Sequence, residues 1–507
     1  MNQNRSDDTA GSRSRAEPSI GHLRGNTNRP LETCVNKRKG RRLGIWTLVV
    51  VAGWVFGPLK LEARDFHVGP HQRLKTPDEV PWEALQPGDR VLIHWRSEPY
   101  RTKWVVCRRG TRDKPIVVKG VKGPRGELPV IEGRSAITRP ELDFWNEERG
   151  VVKIGGANTP PDTVPAYIVV EDLEICGARP PAGFIGRHGV THYAKNAAAV
   201  YVEKGEHIVI RGCYLHDCGN GLFVGPLTSD VVVEHCRIER NGNKGSLYEH
   251  NVYTEALGIV FRGNYLGPLL PEARGNNLKD RSAGLVICYN WIEGGNRQLD
   301  LVDAEDSQRL RKAPSYRETF VFGNVLIERD GDGNNQIVHY GGDSGDRSWY
   351  RAGTLYFYHN TVVSQRSDTT VLFRLSSERE RVECYNNVFF STAPGWYLAV
   401  LERQGTAVLG RNWFKRGWKM SHEQQFSGKV LGGKRSLTGR FPGFVSLERG
   451  DLHLQPDSPC VNAGLPLPQP VAARHPVRFE FQQPAGVQKR WLDERPDLGA
   501  FECVRRR

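Results

Sequence analysis

Eight segments of this chain repeat one register: apolar, any, apolar, any, any, a small polar residue, any, apolar. They begin at Ile208, Val231, Ile259, Leu285, Thr319, Leu355, Val382 and Ala407. The small-residue slot holds Cys213, Cys236, Asn264, Asn290, Asn324, Asn360, Asn387 and Asn412, at spacings of 23, 28, 26, 34, 36, 27 and 25. Alternation of apolar positions is the period of a half-buried strand, and no helical period competes with it. A spacing in the twenties is one coil of a stacked solenoid, and the longer gaps are loops added to a coil. Six Asn in one slot on six successive copies predict a ladder, in which stacked side-chain amides bond one another and the turn backbone.

On these residues the chain resembles the right-handed parallel β-helix proteins of the pectate-lyase-like superfamily, over roughly residues 65–465. The resemblance implies an all-β right-handed parallel β-helix with an N-terminal cap and an Asn ladder. It implies less about activity, because that fold carries lyases, hydrolases, epimerases and non-catalytic surface proteins.

The rest of the chain falls around this solenoid. Residues 1–43 are polar and basic, the composition of a disordered leader. Five cations between Lys37 and Arg42 precede an apolar run from Leu43 to Leu59, the pattern of an export signal or anchor, so residues 44–64 are read as a signal peptide or membrane anchor. Residues 65–140 are read as a β-rich cap with the first coils, including a short helix near 80–89. Residues 141–435 are the β-helix. Residues 436–507 are a closing coil and tail, with a Pro-rich wrap over 465–495 and a last short strand over 497–502. The expected location is secreted, periplasmic, or anchored on the extracytoplasmic side through residues 44–59.

Charge and cysteines narrow the partners. Residues 1–64 hold 12 Lys and Arg against 5 Asp and Glu, half of the net charge of +14. The body is therefore only weakly basic, compatible with an anionic ligand. No helix-turn-helix, zinc-finger or RNA-binding signature is present, so nucleic acid is not an expected partner. The cysteines form no CxxC pairs, and those on repeat strands (Cys213, Cys236, Cys288, Cys384) read as buried free thiols. A monomer is expected.

Groups able to do chemistry concentrate between Glu249 and Asp306. Each coil has a second short strand after its ladder strand. Aligning these strands puts Tyr253, Lys279, Asp300 and His339 on or near one outward row, about 15 Å long at the inter-strand spacing. The same alignment brings in Asn251, Asn277 and Arg374 as substrate contacts, with His250 beside them. Lys279 and Arg281 are expected to point outward together. Arg281 would then depress the Lys279 pKa and prepare a base, while pairing with a sugar carboxylate. The layout resembles β-helix polysaccharide lyases, where Lys or Arg often serves as base. That resemblance implies Lys279 as base, Arg281 as carboxylate neutraliser, and Tyr253 or His339 as proton donor.

The carboxylates admit two further readings. Glu255, Asp303 and Glu305 are candidate ligands of a Ca²⁺ ion, since hard oxygen donors are dense there. Asp300 with Asp303 or Glu305 is a candidate pair for glycoside hydrolysis, although the paired-Asp and Gly-His-Gly pattern of β-helix polygalacturonases is absent. The leading expectation is an exported enzyme cleaving an acidic polysaccharide by β-elimination. The alternatives are a glycoside hydrolase on the same fold and a non-catalytic glycan-binding or envelope protein.

Overall fold

The ladder strands pair in parallel, coil upon coil. Ile208 lies opposite Val231, Val231 opposite Ile259, and Ile259 opposite Leu285. These side chains, and Ile210, Val233, Phe261 and Ile287 two positions on, are fully buried and face the interior. Their outward alternates, such as Val209, Val232 and Val260, are part-exposed. The period-2 pattern thus becomes a stack of identical apolar layers, each covered by the next. The computed structural model describes residues 62–503. The expectations for residues 1–43 and 44–59 lie outside the described residues. Among the described residues no helix is long and apolar enough to cross a membrane.

One coil runs from strand Glu318–Phe322 through a tight turn to Val325–Glu328. It makes a short excursion, forms Gln336–Tyr340, then loops to the next ladder strand, Thr354–Tyr358. Repeated over the chain, this gives a parallel β-helix with three stacks of strands. One stack is an 11-stranded parallel sheet, and the other two belong to a 23-stranded sheet, joined where single strands such as Ala198–Arg211 and Asn220–Glu234 serve both.

The predicted ladder sits in the turn between ladder strand and 11-stranded sheet. Asn264 Nδ2 donates to Asn290 Oδ1 at 2.9 Å, Asn290 to Asn324 at 2.9 Å, and Asn324 to Asn360 at 3.0 Å. Asn360 continues to Asn387 and Asn387 to Asn412. Each Oδ1 also accepts the backbone N–H of the slot residue one coil earlier, as Asn290 does from Asn264 at 2.9 Å. All six are fully buried, and without these bonds six turns would leave polar groups unsatisfied in the interior. The residue before the slot has positive φ in several turns, which Gly263 and Gly323 adopt without strain. The thiols of Cys213, Cys236, Cys288 and Cys384 are buried and free.

Strands Asp65–Val68, Arg90–His94 and Ile116–Val121 pair in succession and lead into Ala166–Glu171, forming the first coils. In place of the expected helix near 80–89 there are two 3-10 turns, Pro77–Glu79 and Trp82–Ala84. They carry Trp82 onto Trp104, ring to ring at 4.9 Å. At the other end the Pro-rich tail wraps the outside. Helix Gln469–Arg474 sets Val471 among Phe320, Phe322 and Tyr358, and Tyr358 Oη donates to the His475 carbonyl at 2.8 Å. The expected strand at 497–502 is not formed. The segment folds around a buried ion pair, Arg490 with Glu502, and Asp497 N donates to the Glu502 carboxylate instead of to a neighbouring strand.

Candidate active site

The second stack of strands positions the site. Its parallel register places Lys153, Tyr201, Phe223, Tyr253, Lys279, Asp300, His339 and Arg374 at one position on eight consecutive coils. At about 4.8 Å per step the row is about 34 Å long. The four residues expected in one row are direct neighbours in it: Tyr253, Lys279, Asp300, His339.

A cavity of about 460 Å³ opens over this row. Lys279 Nζ donates to Asp300 Oδ2 at 2.8 Å and also reaches Asp343 Oδ2. Asp300 Oδ2 further accepts from Asn276 Nδ2 at 2.8 Å, and Asp300 Oδ1 lies 2.7 Å from His339 Nδ1. His339 Nε2 meets Ser376 Oγ at 2.9 Å. Arg281 Nε donates to the Tyr253 hydroxyl at 2.9 Å, and its other nitrogens pair with Asp343 and Glu305, each at 3.0 Å. Arg297 and Arg374 complete the cationic wall.

Two expectations about the Lys279–Arg281 pair are corrected. Both side chains line the cavity, yet they are 8% and 4% exposed, not outward in solvent. Nor is the Lys279 pKa depressed. Burial lowers it and Arg281 adds to that, but the Asp300 and Asp343 carboxylates outweigh both and hold the ammonium above its ordinary value. Burial likewise opposes ionisation of Asp300, but Lys279, His339 and Arg297 keep its carboxyl well below the usual carboxylate range. Burial keeps the Tyr253 phenol above its ordinary value, hence protonated. His339 and His250 are both held below the ordinary imidazole value by burial, His250 at about 3, so both are neutral. His250 Nδ1 accepts the Asn276 N–H at 2.9 Å, which leaves its proton on Nε2.

Asn251 and Asn277 are not at the cavity. Both are fully buried and form a second ladder at another corner of the coil: Asn241 Nδ2 to Asn251 Oδ1 at 3.0 Å, then Asn251 to Asn277 at 3.2 Å. Their amides satisfy corner carbonyls such as Gly267 O and Glu293 O. The carboxylates expected to share Ca²⁺ are each engaged with other partners or surroundings. Asp303 is fully buried and accepts from Asp343 N, Ser344 N and Ser344 Oγ, Glu305 pairs with Arg281, and Glu255 lines a neighbouring cavity. Among the described residues no cluster of three His, Cys, Asp or Glu side chains has metal-binding geometry. Residues not singled out from the sequence complete the site: Asp343, Asn276, Arg297 and Ser376. All lie in loops or at strand ends, outside the repeating register.

Residues 187–298 match the family model described as right handed beta helix region. This part of the chain is a right-handed β-helix. Among solved structures, the chain is similar to an alginate lyase from Paenibacillus sp. str. FPU-7, with 10% identity over 69% of this chain and 93% of that one and a TM-score of 0.42. It is similar to the GH136 lacto-N-biosidase from Eubacterium ramulus, with 14% identity over 74% and 68% and a TM-score of 0.45. A rhamnogalacturonan lyase gives 12% identity over 81% and 98% and a TM-score of 0.41. Likeness at this level speaks of neither substrate nor reaction. No curated protein sequence matches the chain.

Proposed function

We propose that this is an exported polysaccharide lyase that cleaves an acidic polysaccharide by β-elimination at the cavity over Lys279. The observation that carries the reading is the register of Tyr253, Lys279, Asp300 and His339 on four adjacent coils, under a cavity walled by Arg281, Arg297 and Arg374. β-Elimination next to a uronate carboxylate needs three things: a cation on the carboxylate, a base for the C5 proton, and a proton donor for the leaving oxygen. Arg374 suits the first role best. Its side chain is 42% exposed and only loosely held, 3.6 Å from Glu402, whereas Arg281 is already committed to four acceptors. Lys279 is the base. It takes the C5 proton as its neutral amine, the electron pair forms the C4=C5 bond, and the C4–O bond breaks. The Tyr253 phenol protonates the departing oxygen, and Arg281, donating to the same hydroxyl at 2.9 Å, steadies the charge that develops there. Neutral His339 fixes Asp300, which in turn fixes Lys279.

Hydrolysis through Asp300 with Asp303 or Glu305 has less support, because Asp300 and Asp303 are saturated with donors and Glu305 is tied to Arg281. Export by residues 44–59 belongs to the same proposal. The test is the product's new non-reducing end, read by NMR after incubation with acidic polysaccharides. The lyase reading requires a C4=C5 double bond there; a saturated end that keeps its C4 hydroxyl, with the water oxygen on the anomeric carbon of the other fragment, would replace it by hydrolysis.

A further inference from the structure

The row of the active site continues past Tyr253 into a second cavity of about 440 Å³, which shares Tyr248 and Tyr253 with the first. Its character is different. The register positions that hold Lys279, Asp300 and His339 in one cavity hold Tyr253, Phe223 and Tyr201 here. The Phe223 and Tyr253 rings stack 5.1 Å apart and parallel within 1°, and Tyr201 meets Phe223 edge-on at 5.2 Å. The Arg149 guanidinium lies over both Tyr201 and Phe223, at 4.9 and 4.7 Å.

Charge changes at the same boundary. The first cavity sets four cations against three carboxylates, whereas the second has one lining cation, Arg149, beside Asp306, the protonated Glu255 and Glu203, which Lys153 already pairs. A uronate carboxylate would be drawn to the first and would find no such excess of cations in the second. The second cavity also holds an unanswered polar group. Glu255 is 2% exposed, and its Oε1 is buried with no hydrogen-bond partner. Such a group is costly unless something completes it. Burial, and then Asp306, push its carboxyl up to about 8, so at neutral pH it both donates and accepts. With the ring faces taken up by one another and by Arg149, the rings give the cavity an apolar aromatic lining, and such a lining with one such carboxyl matches an uncharged sugar ring, which offers C–H groups to apolar carbon and hydroxyls at its rim.

We infer that the cavity over Tyr201, Phe223 and Tyr253 is a subsite for an uncharged sugar, so that the substrate is a polysaccharide in which a uronate adjoins a neutral sugar. This rests on the lyase reading for the uronate half, but the subsite is testable apart from turnover.

The test is calorimetric binding to the full chain, alongside turnover, with two sets of oligosaccharides. One set alternates uronate with neutral sugar (hyaluronan, chondroitin and rhamnogalacturonan fragments). The other is all uronate (oligogalacturonate, oligoalginate). At least one alternating oligosaccharide should bind about 10-fold or more tighter than any all-uronate one. Phe223→Ala should remove that advantage, a loss of about 1.4 kcal/mol for tenfold. Glu255→Gln, nearly isosteric, should weaken the alternating ligand alone and guards against a misfolded Phe223 variant. If the Phe223-dependent preference holds without turnover of any polymer, the subsite stands and the lyase reading falls. Equal binding of both sets, no binding of either, or a preference untouched by both substitutions would overturn the subsite.

Discussion

Lys279 and Asp300 occupy the same register position on adjacent coils, and Lys279 Nζ donates to Asp300 Oδ2 at 2.8 Å with both side chains nearly inaccessible to solvent. The pair is the pivot of the site. Asp300 is oriented by Asn276 and His339, and Lys279 is drawn toward the cavity by Asp343. A buried ion pair of this kind gives its residues fixed positions but modest net stability, and removing one partner strands the other.

Lys279→Ala is therefore expected to act twice. Turnover should fall by at least about 10²-fold, the scale for a lost general base. Stability should also fall, by about 3–5 kcal/mol, because Asp300 stays buried and loses its main counter-charge. Urea unfolding measures the second effect. The double variant Lys279→Met/Asp300→Asn should regain much of the stability and none of the activity.

The pH profile follows from the raised Lys279 pKa. A base must be unprotonated, so kcat/KM should climb about tenfold per pH unit through the neutral range and level off only in the alkaline range. Stability runs the other way. A lysine whose folded value exceeds its unfolded one contributes fully below the unfolded value, about 10.4, and the contribution is lost as pH rises through the folded value. A profile flat from pH 6 upward would exclude Lys279 as the base.

Glu255 predicts a stability difference with a defined window. Its folded pKa of about 8 lies above the unfolded carboxyl value. Below the unfolded value the proton is bound in both states and costs nothing. Between the two values the unfolded chain gains by ionising, so stability drops as pH rises, and above about 8 the loss is complete. Glu255→Gln has no such loss. Its Tm should match wild type near pH 4 and exceed it at pH 8.

Much of this was legible in the sequence because a solenoid converts spacing into position. The slot residues from Asn264 to Asn412 named the ladder, and aligning the second strands put Tyr253, Lys279, Asp300 and His339 side by side. Asn251 and Asn277 looked like substrate contacts because they begin strands next to chemical residues. Their ladder with Asn241 was hidden by separations of 10 and 26 residues, since a loop interrupts one coil. Asp343 and Ser376 were invisible for a related reason. They reach the site from loops and strand ends, whose course depends on packing and not on register. Asp300 and then Asp343, once in place, reverse the electrostatics expected of Lys279.

The Asn ladder gives its own test. Asn290 bonds Phe261 O, Cys288 O and Asn324 through its amide and accepts from Asn264. Asn290→Leu should cost about 1–3 kcal/mol by leaving these groups unpaired. An unchanged unfolding midpoint would mean that the ladder does not stabilise the stack.

The most direct measurement is ultraviolet absorbance during incubation of the full chain with a panel of acidic polysaccharides, since only elimination creates a conjugated double bond. The account predicts rising absorbance with wild type on at least one polymer and none with Lys279→Ala. New reducing ends without absorbance, or absorbance that survives Lys279→Ala unchanged, would contradict it.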